Sequence, residues 1–230
     1  MNAKIERRRA GGWRTIAAAW LTVVLVALQT AQGASNLVTN GSFDDPANNL
    51  AAWRYRYDRP GESWYFENHT FVSVVDNDNG RSKVLRLHGT DAVLNVPGQG
   101  VQVDSKPIPA TLKGTYRFSA WARGTGPGCR MLVEGYKWRK EIAPHPDPDI
   151  WELRKCYRFS QIYFGKQVSG EIASVGATWQ KGTTVLGEEK PSPLAKDKLA
   201  EIQFLVVHIV AIAGSAGDLF VDDVRLEKGR

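Results

Sequence analysis

Turn-forming residues recur along this chain every eight to twelve positions, and that spacing restricts its fold more than any other feature. Between clusters of Gly, Pro, Asn and Asp lie short stretches rich in Val, Ile, Tyr, Phe and Trp, and no long segment carries a helical period. β-Branched and aromatic runs cut at this interval read as the strands of a β-sandwich or barrel. The pattern predicts strands at "WRYRY" (53–57), "TFVSVV" (70–75), "KVLRL" (83–87), "TYRFSAWA" (115–122), "RMLVEGYKW" (130–138), "EIQFLVVHIVAI" (201–212) and "DLFVDDVRL" (218–226). Turn signals such as "DNDNG" (76–80) and "GTGPG" (124–128) separate them. The proline-broken "IAPHPDPDI" (142–150) and the polar "LGEEKPSPLAKDK" (186–198) predict longer loops, where a sandwich can elaborate a binding rim.

The first 33 residues have a different character. Lys4, Arg7, Arg8, Arg9 and Arg14 precede and enter an apolar run, "TIAAAWLTVVLVAL" (15–28), which leads to the small residues of "TAQGAS". This order predicts a cleavable signal peptide over 1–33, cut after Gly33, and one domain over 34–230. The apolar run is shorter than the ~17 to 25 residues that a membrane helix needs. The expected product is secreted or periplasmic, with no membrane attachment after cleavage. Removing five basic and one acidic side chain from totals of 30 and 24 lowers the net charge from +6 to +2. The remaining charges form no concentrated basic face in the sequence, which argues against nucleic acid as a partner.

Cys129 and Cys156 are the only cysteines. In an oxidising compartment they are expected to form a disulfide, which would add about 3 to 4 kcal/mol by closing their loop; two buried free thiols are the alternative. Their separation does not suggest a zinc site.

Period-two alternation assigns faces to the central strands. Over 115–123, Tyr116, Phe118, Ala120 and Ala122 form one face, and Arg117, Ser119, Trp121 and Arg123 the other. Over 130–138, Met131, Val133 and Gly135 oppose Arg130, Glu134, Tyr136 and Trp138. If these strands pair, Trp121, Glu134, Tyr136 and Trp138 share one surface. Flat rings with fixed polar groups are what sugar recognition requires, and Trp151, Trp179, Trp64 or Tyr65 would extend such a platform. Core or loop-covered tryptophans are the competing reading. His208 lies on the side of Ile202, Phe204, Val206 and Val210, which predicts a buried, hydrogen-bonded histidine. His145, Asp147 and Asp149 are read as a surface loop in preference to a metal site.

The chain ends with two adjacent carboxylates, Asp222 and Asp223, inside an apolar strand, and begins its predicted domain with "NLVTNGSFDD" (36–45). Pairing of the first and last strands would bring Asp44 to Asp222, where the two repel unless protonated or bridged by a cation. Calcium suits such oxygen ligands. Alternation turns Asp223 the other way, toward solvent.

"NLVTNGSFDD", Trp53, "GQGVQV" (98–103), "LKGTYRFSAWARG" (112–124), "TWQKGTTV" (178–185) and "GDLFVDDVRLEK" (217–228) follow one another in an order that resembles the carbohydrate-binding modules of the family 4, 9 and 22 type. The resemblance implies an all-β, galactose-binding-like jelly-roll sandwich that binds a polysaccharide without catalysing a reaction. It also implies a structural calcium held by Asp44, Asp222 and a backbone carbonyl near Ser42. Such modules are usually appended to an enzyme, whereas this chain runs from a leader to its last strand. It is therefore expected to act alone or with a separate enzyme or surface protein.

Two other readings stand behind this one. A cell-surface or extracellular β-sandwich that binds protein uses the same exposed aromatics. An enzyme comes third: "WELRKC" (151–156) and "QIYFGK" (161–166) are similar to strands of jelly-roll polysaccharide lyases, but Tyr163 stands where that family has a histidine. A glycoside hydrolase needs a second carboxylate across from Glu134, and the sequence singles out none.

Overall fold

Alternating apolar residues carry two strands of this protein straight through the glycine-rich stretches expected to interrupt them. The computed structural model describes residues 35–55, 68–95, 100–110, 116–138, 140–144, 158–164, 167–168, 171–172, 175–186 and 202–229. The predicted signal segment, Cys156, Trp64, Tyr65, Trp151 and most of the two predicted loops lie outside them. Contacts gather Asn36–Arg230 into one compact unit, separate from Met1–Ser35. Among the described residues no helix is long and apolar enough to cross a membrane.

The described elements are β1 (Trp53–Tyr55), α1 (Asn68–Phe71), β2 (Val72–Val75), β3 (Val84–Gly89), α2 (Asp91–Leu94), β4 (Val101–Ser105), β5 (Ile108–Pro109), β6 (Tyr116–Tyr136), β7 (Arg158–Phe164), β8 (Gln167–Val168), β9 (Glu171–Ile172), β10 (Gly176–Leu186) and β11 (Phe204–Lys228). β8 and β9 form a small ladder of their own. The other strands make the jelly-roll sandwich. In its first layer, residues 204–212 of β11 pair with β4 on one side and with the second half of β6 on the other; β1 extends the β4 edge and β7 the β6 edge. In the second layer, residues 217–228 of β11 lie between β3 and the first half of β6, with β2 beyond β3 and β10 beyond β6.

β6 and β11 thus run antiparallel through both layers, and they change layer together. "GTGPG", expected as a turn between two strands, is a corner within one strand. Gly126 (φ 108°), Ala213 (φ 56°) and Gly214 (φ 79°) adopt the left-handed conformations there, and the register slips on either side of Gly214. A Cβ on Gly214 would lie 2.3 Å from the Gly126 carbonyl oxygen, so this crossing requires a residue without one.

Alternation otherwise behaves as read. Tyr116, Phe118, Ala120 and Ala122 of β6 and, beside them in the second layer, Leu219, Val221, Val224 and Leu226 of β11 point into the core between the layers. Leu205, Val207, Ile209 and Ala211, with Val101, Val103, Met131 and Val133, enter the same core from the first layer. Cys129 is buried there as a free thiol, opposite Ala211, so it forms no bridge in this structure, and burial pushes its pKa well above the ordinary thiol value.

The first described residues pair with the last strand, as expected. Leu37 donates its N–H to the Leu226 carbonyl at 2.8 Å, and Val224 donates to Gly41 at 2.8 Å. The Asn36 side chain ties this seam by donating to Val224 O and accepting from Leu226 N. Phe43 enters the core against Trp53, whose indole donates to the Asn40 carbonyl at 2.9 Å.

Candidate functional site

The two outer faces of the sandwich carry the chemistry, and a tight turn builds the first of them. Between β2 and β3 the chain reverses at Asn79 (φ 46°) and Gly80 (φ 86°), with Asp78 and Arg81 exchanging backbone hydrogen bonds of 2.9 and 3.1 Å. Two successive positive φ angles suit an Asn-Gly pair and match the twist of a hairpin. Asp78 and Arg81 are therefore presented together on the outer face of the second layer. Arg81 donates to Asp222 at 2.5 Å, while its guanidinium stacks 4.4 Å from the Trp121 ring centre and 4.9 Å from that of Trp179. Asp78 accepts two hydrogen bonds from Arg123, which in turn covers Phe220 at 4.2 Å. The Trp179 indole donates to the Asp78 carbonyl at 3.3 Å. Rings, guanidinium groups and carboxylates thus interleave, and Trp121 and Trp179 keep part of their surface in solvent.

The outer face of the first layer is closed. His208 of β11 is fully buried, and its two ring nitrogens meet different acids. Nδ1 lies 2.5 Å from Asp104 of β4; Nε2 faces Glu134 at 3.3 Å and the Tyr136 hydroxyl at 3.2 Å. Tyr136 donates to Glu134, and Gln102 donates to Asp104 at 2.7 Å. Phe204 stacks on Tyr136, and Trp138 packs against Phe204 at 5.3 Å. The sequence reading of His208 as a buried, hydrogen-bonded residue holds, on the outer face of its sheet and not between the layers. Gln102 and Asp104 are members of this network that the sequence reading missed. The signal for them was the alternation Val101, Gln102, Val103, Asp104, which places both polar residues on one side of a strand.

The platform expected from the sequence is therefore divided. The two halves of β6 do not pair with each other; they lie in different layers. Glu134, Tyr136 and Trp138 share the closed face, but Trp121 lies on the open one, with Trp179. Only Trp138 of the first three is half-buried, while Glu134 and Tyr136 are 5% and 2% exposed.

The carboxylates of the chain ends are also arranged differently from the expectation. Asp223 has φ 49° and sits in a β-bulge, where the register with β6 slips between Asp222 and Arg225. One extra residue leaves Asp222 on the outer face opposite Trp121, held by Arg81, and turns Asp223 into a cleft lined by Asn36, Asn40, Ser42, Asp44 and Asp45. Asp222, expected beside Asp44, is held by Arg81 and does not line this cleft. In the cleft, Asp44 accepts from the Ser42 hydroxyl at 2.7 Å, Asp45 accepts from the backbone of Ala47 and Asn48, and Asp223 accepts from Arg225 at 2.7 Å. Among the described residues, no three His, Cys, Asp or Glu side chains converge as a metal site. Ser42, Asp44, Asp45 and Asp223 nevertheless offer oxygens, the ligand type of a hard cation, although Arg225 also lines the cleft.

No protein-family model matches the sequence, and no curated protein matches it. Solved structures similar to this chain include a family 16 carbohydrate-binding module, at 16% identity, covering 83% of this chain and 99% of that chain with a TM-score of 0.46. A CBM4 structure is 17% identical, with 84% and 99% covered and a TM-score of 0.44. The CBM22-1–CBM22-2 tandem domain of Paenibacillus barcinonensis Xyn10C is 14% identical, with 87% and 51% covered and a TM-score of 0.48. These three structures are of carbohydrate-binding modules.

Proposed function

We propose that this chain is an exported, non-catalytic carbohydrate-binding module that holds a polysaccharide against the outer face of its second layer. One observation carries the reading: Trp121 and Trp179 are partly exposed and held in fixed orientation by the Arg81 guanidinium stacked on both. Sugars are bound by immobile aromatic surfaces that meet their C–H faces, beside polar groups whose positions are set in advance. Arg81, Asp222, Arg123 and Asp78 supply such groups, each fixed by an ion pair. The closed face offers comparable residues, but Glu134 and Tyr136 are occupied with His208 and shielded from solvent.

Affinity electrophoresis through gels containing xylan, β-glucan, mannan, pectin or alginate tests this reading. One polymer is expected to retard the protein and to remain intact. Trp121→Ala should abolish the retardation and Trp138→Ala should leave it. Retention that survives Trp121→Ala in a folded protein would remove the site.

A structural calcium belongs to the same proposal, at the cleft of Ser42, Asp44, Asp45 and Asp223 in place of Asp222. Calcium there would draw on carbonyl and hydroxyl oxygens as well as carboxylates, and Asp223 would exchange Arg225 for the ion. Chelator is expected to lower the thermal midpoint of the wild type and to have no effect on Asp44→Asn; equal sensitivity in both rejects the cleft as the site.

A further inference from the structure

Charge on the open face is distributed unevenly. Its central cations are neutralised within the protein: Arg81 by Asp222, Arg123 by Asp78, and Arg86 by Asp218 at 3.0 Å. The Asp78 and Asp222 side chains are each only 12% exposed, so their charge is both paired and covered. Two further cations flank the rings without a carboxylate partner among the described residues. Lys181 of β10 is exposed directly across from Trp121, with its ammonium 6.0 Å from the ring centre. Arg117, exposed four residues before Trp121 on β6, shares its face and lies about 13 Å away along the strand. Glu227, opposite Arg117 in the ladder, is the acid nearest in register, and its carboxylate is directed to Arg225 at 3.7 Å.

An aromatic surface with paired charges at its centre and unpaired cations at its flanks is complementary to a ligand that is apolar in its ring faces and anionic at intervals. Resting on the carbohydrate-binding reading above, we infer that the ligand is an acidic polysaccharide whose uronic carboxylates are held by Lys181 and Arg117 while a sugar ring lies on Trp121. The guanidinium of Arg117 matches a carboxylate in a two-pronged hydrogen bond, and Lys181 acts as a point charge. Because the two cations stand well apart, one sugar reaches only one of them, and a chain of several engages both. Neighbouring acids do not oppose this, since those nearest the rings are covered by arginine.

A matched pair of polymers tests the inference: polygalacturonate, and the same backbone with its carboxylates methyl-esterified. Titration calorimetry of the full chain is expected to show polygalacturonate binding about tenfold or more tighter than the ester, with affinity falling as salt rises and galacturonate monomer binding far more weakly. Lys181→Gln with Arg117→Gln, both exposed and remote from the core, should reduce polygalacturonate affinity by about tenfold or more and leave the ester unchanged. Equal binding of acid and ester, or a double variant that binds the acid as the wild type does, overturns the inference while leaving the carbohydrate site in place. Polyglutamate bound as tightly as polygalacturonate also overturns it, because charge alone would then suffice. Folded protein that binds neither polymer, nor any neutral glycan, overturns both readings.

Discussion

The two outer faces of this sandwich begin from similar material and reach opposite ends. Each presents aromatic rings among charged side chains on the central strands β6 and β11. On the first layer, His208 lies between Asp104 and Glu134 with its side chain fully buried, so these groups are used within the protein. On the second layer, the hairpin tip around Asn79 and Gly80 lays Arg81 and Asp78 across Trp121 and Arg123 but leaves the tryptophans partly open. Burial makes the difference. A desolvated, fully partnered network contributes rigidity and a unique packing; a half-exposed one keeps surface for a ligand. On the function proposed above, the closed face serves the fold and the open face serves binding.

Substitutions at Asp104 give the largest expected contrast. Asp104→Ala strips a buried histidine of its acid and is expected to destabilise the protein by about 3 to 5 kcal/mol, read from denaturant midpoints. Glycan affinity of the remaining folded protein should not change. Wild-type stability in this variant would place the closed network outside the fold's support. Arg81→Gln acts on the other face, where the ion pair is partly exposed. Its cost is expected at about 1 to 2 kcal/mol, accompanied by weaker binding because Trp121 and Trp179 lose the group stacked on them. Equal binding with and without Arg81 would show that the rings need no such support.

The smallest effect concerns Asp218, at the edge of the open face. Burial opposes its ionisation, but hydrogen bonds from Arg86 and His88 and the charges behind them outweigh that, so its pKa lies below the ordinary carboxylate value. A pKa depressed by folding contributes stability above the unfolded value, and that stability is lost as pH falls through the folded one. The side chain is 28% exposed, so solvent screening limits the contribution to about 0.5 kcal/mol. Asp218→Asn should be less stable than the wild type by this amount near neutral pH and equal to it in strong acid. A difference that persists at low pH would assign the effect to packing and not to charge.

Strand faces were legible because they are local. Tyr116, Phe118, Ala120 and Ala122 point inward, Trp121 and Arg123 outward, and His208 is buried, all as alternation indicates. The seam between the domain's first residues and β11 was legible too, from the two acid-rich stretches at its ends. Misreadings arose where one residue altered the geometry. "GTGPG" reads as a turn and residues 213–217 as a break between two strands, but lying side by side in two paired strands they make a common corner. The bulge at Asp223 adds one residue to β11 and turns Asp223, not Asp222, into the cleft beside Asp44, which alternation on an isolated strand has no means of showing.

By itself, the sequence determined that this chain forms a β-sandwich and which side of each strand is apolar, since both follow from a period of two and from turn residues acting over a few positions. Only the tertiary structure decided that Trp121 belongs with Arg81 and Trp179, and Glu134 with His208 and Asp104. Those partners are set by which strands lie side by side after β6 and β11 turn their corner. Such pairings join residues far apart in the chain, and no local pattern encodes them.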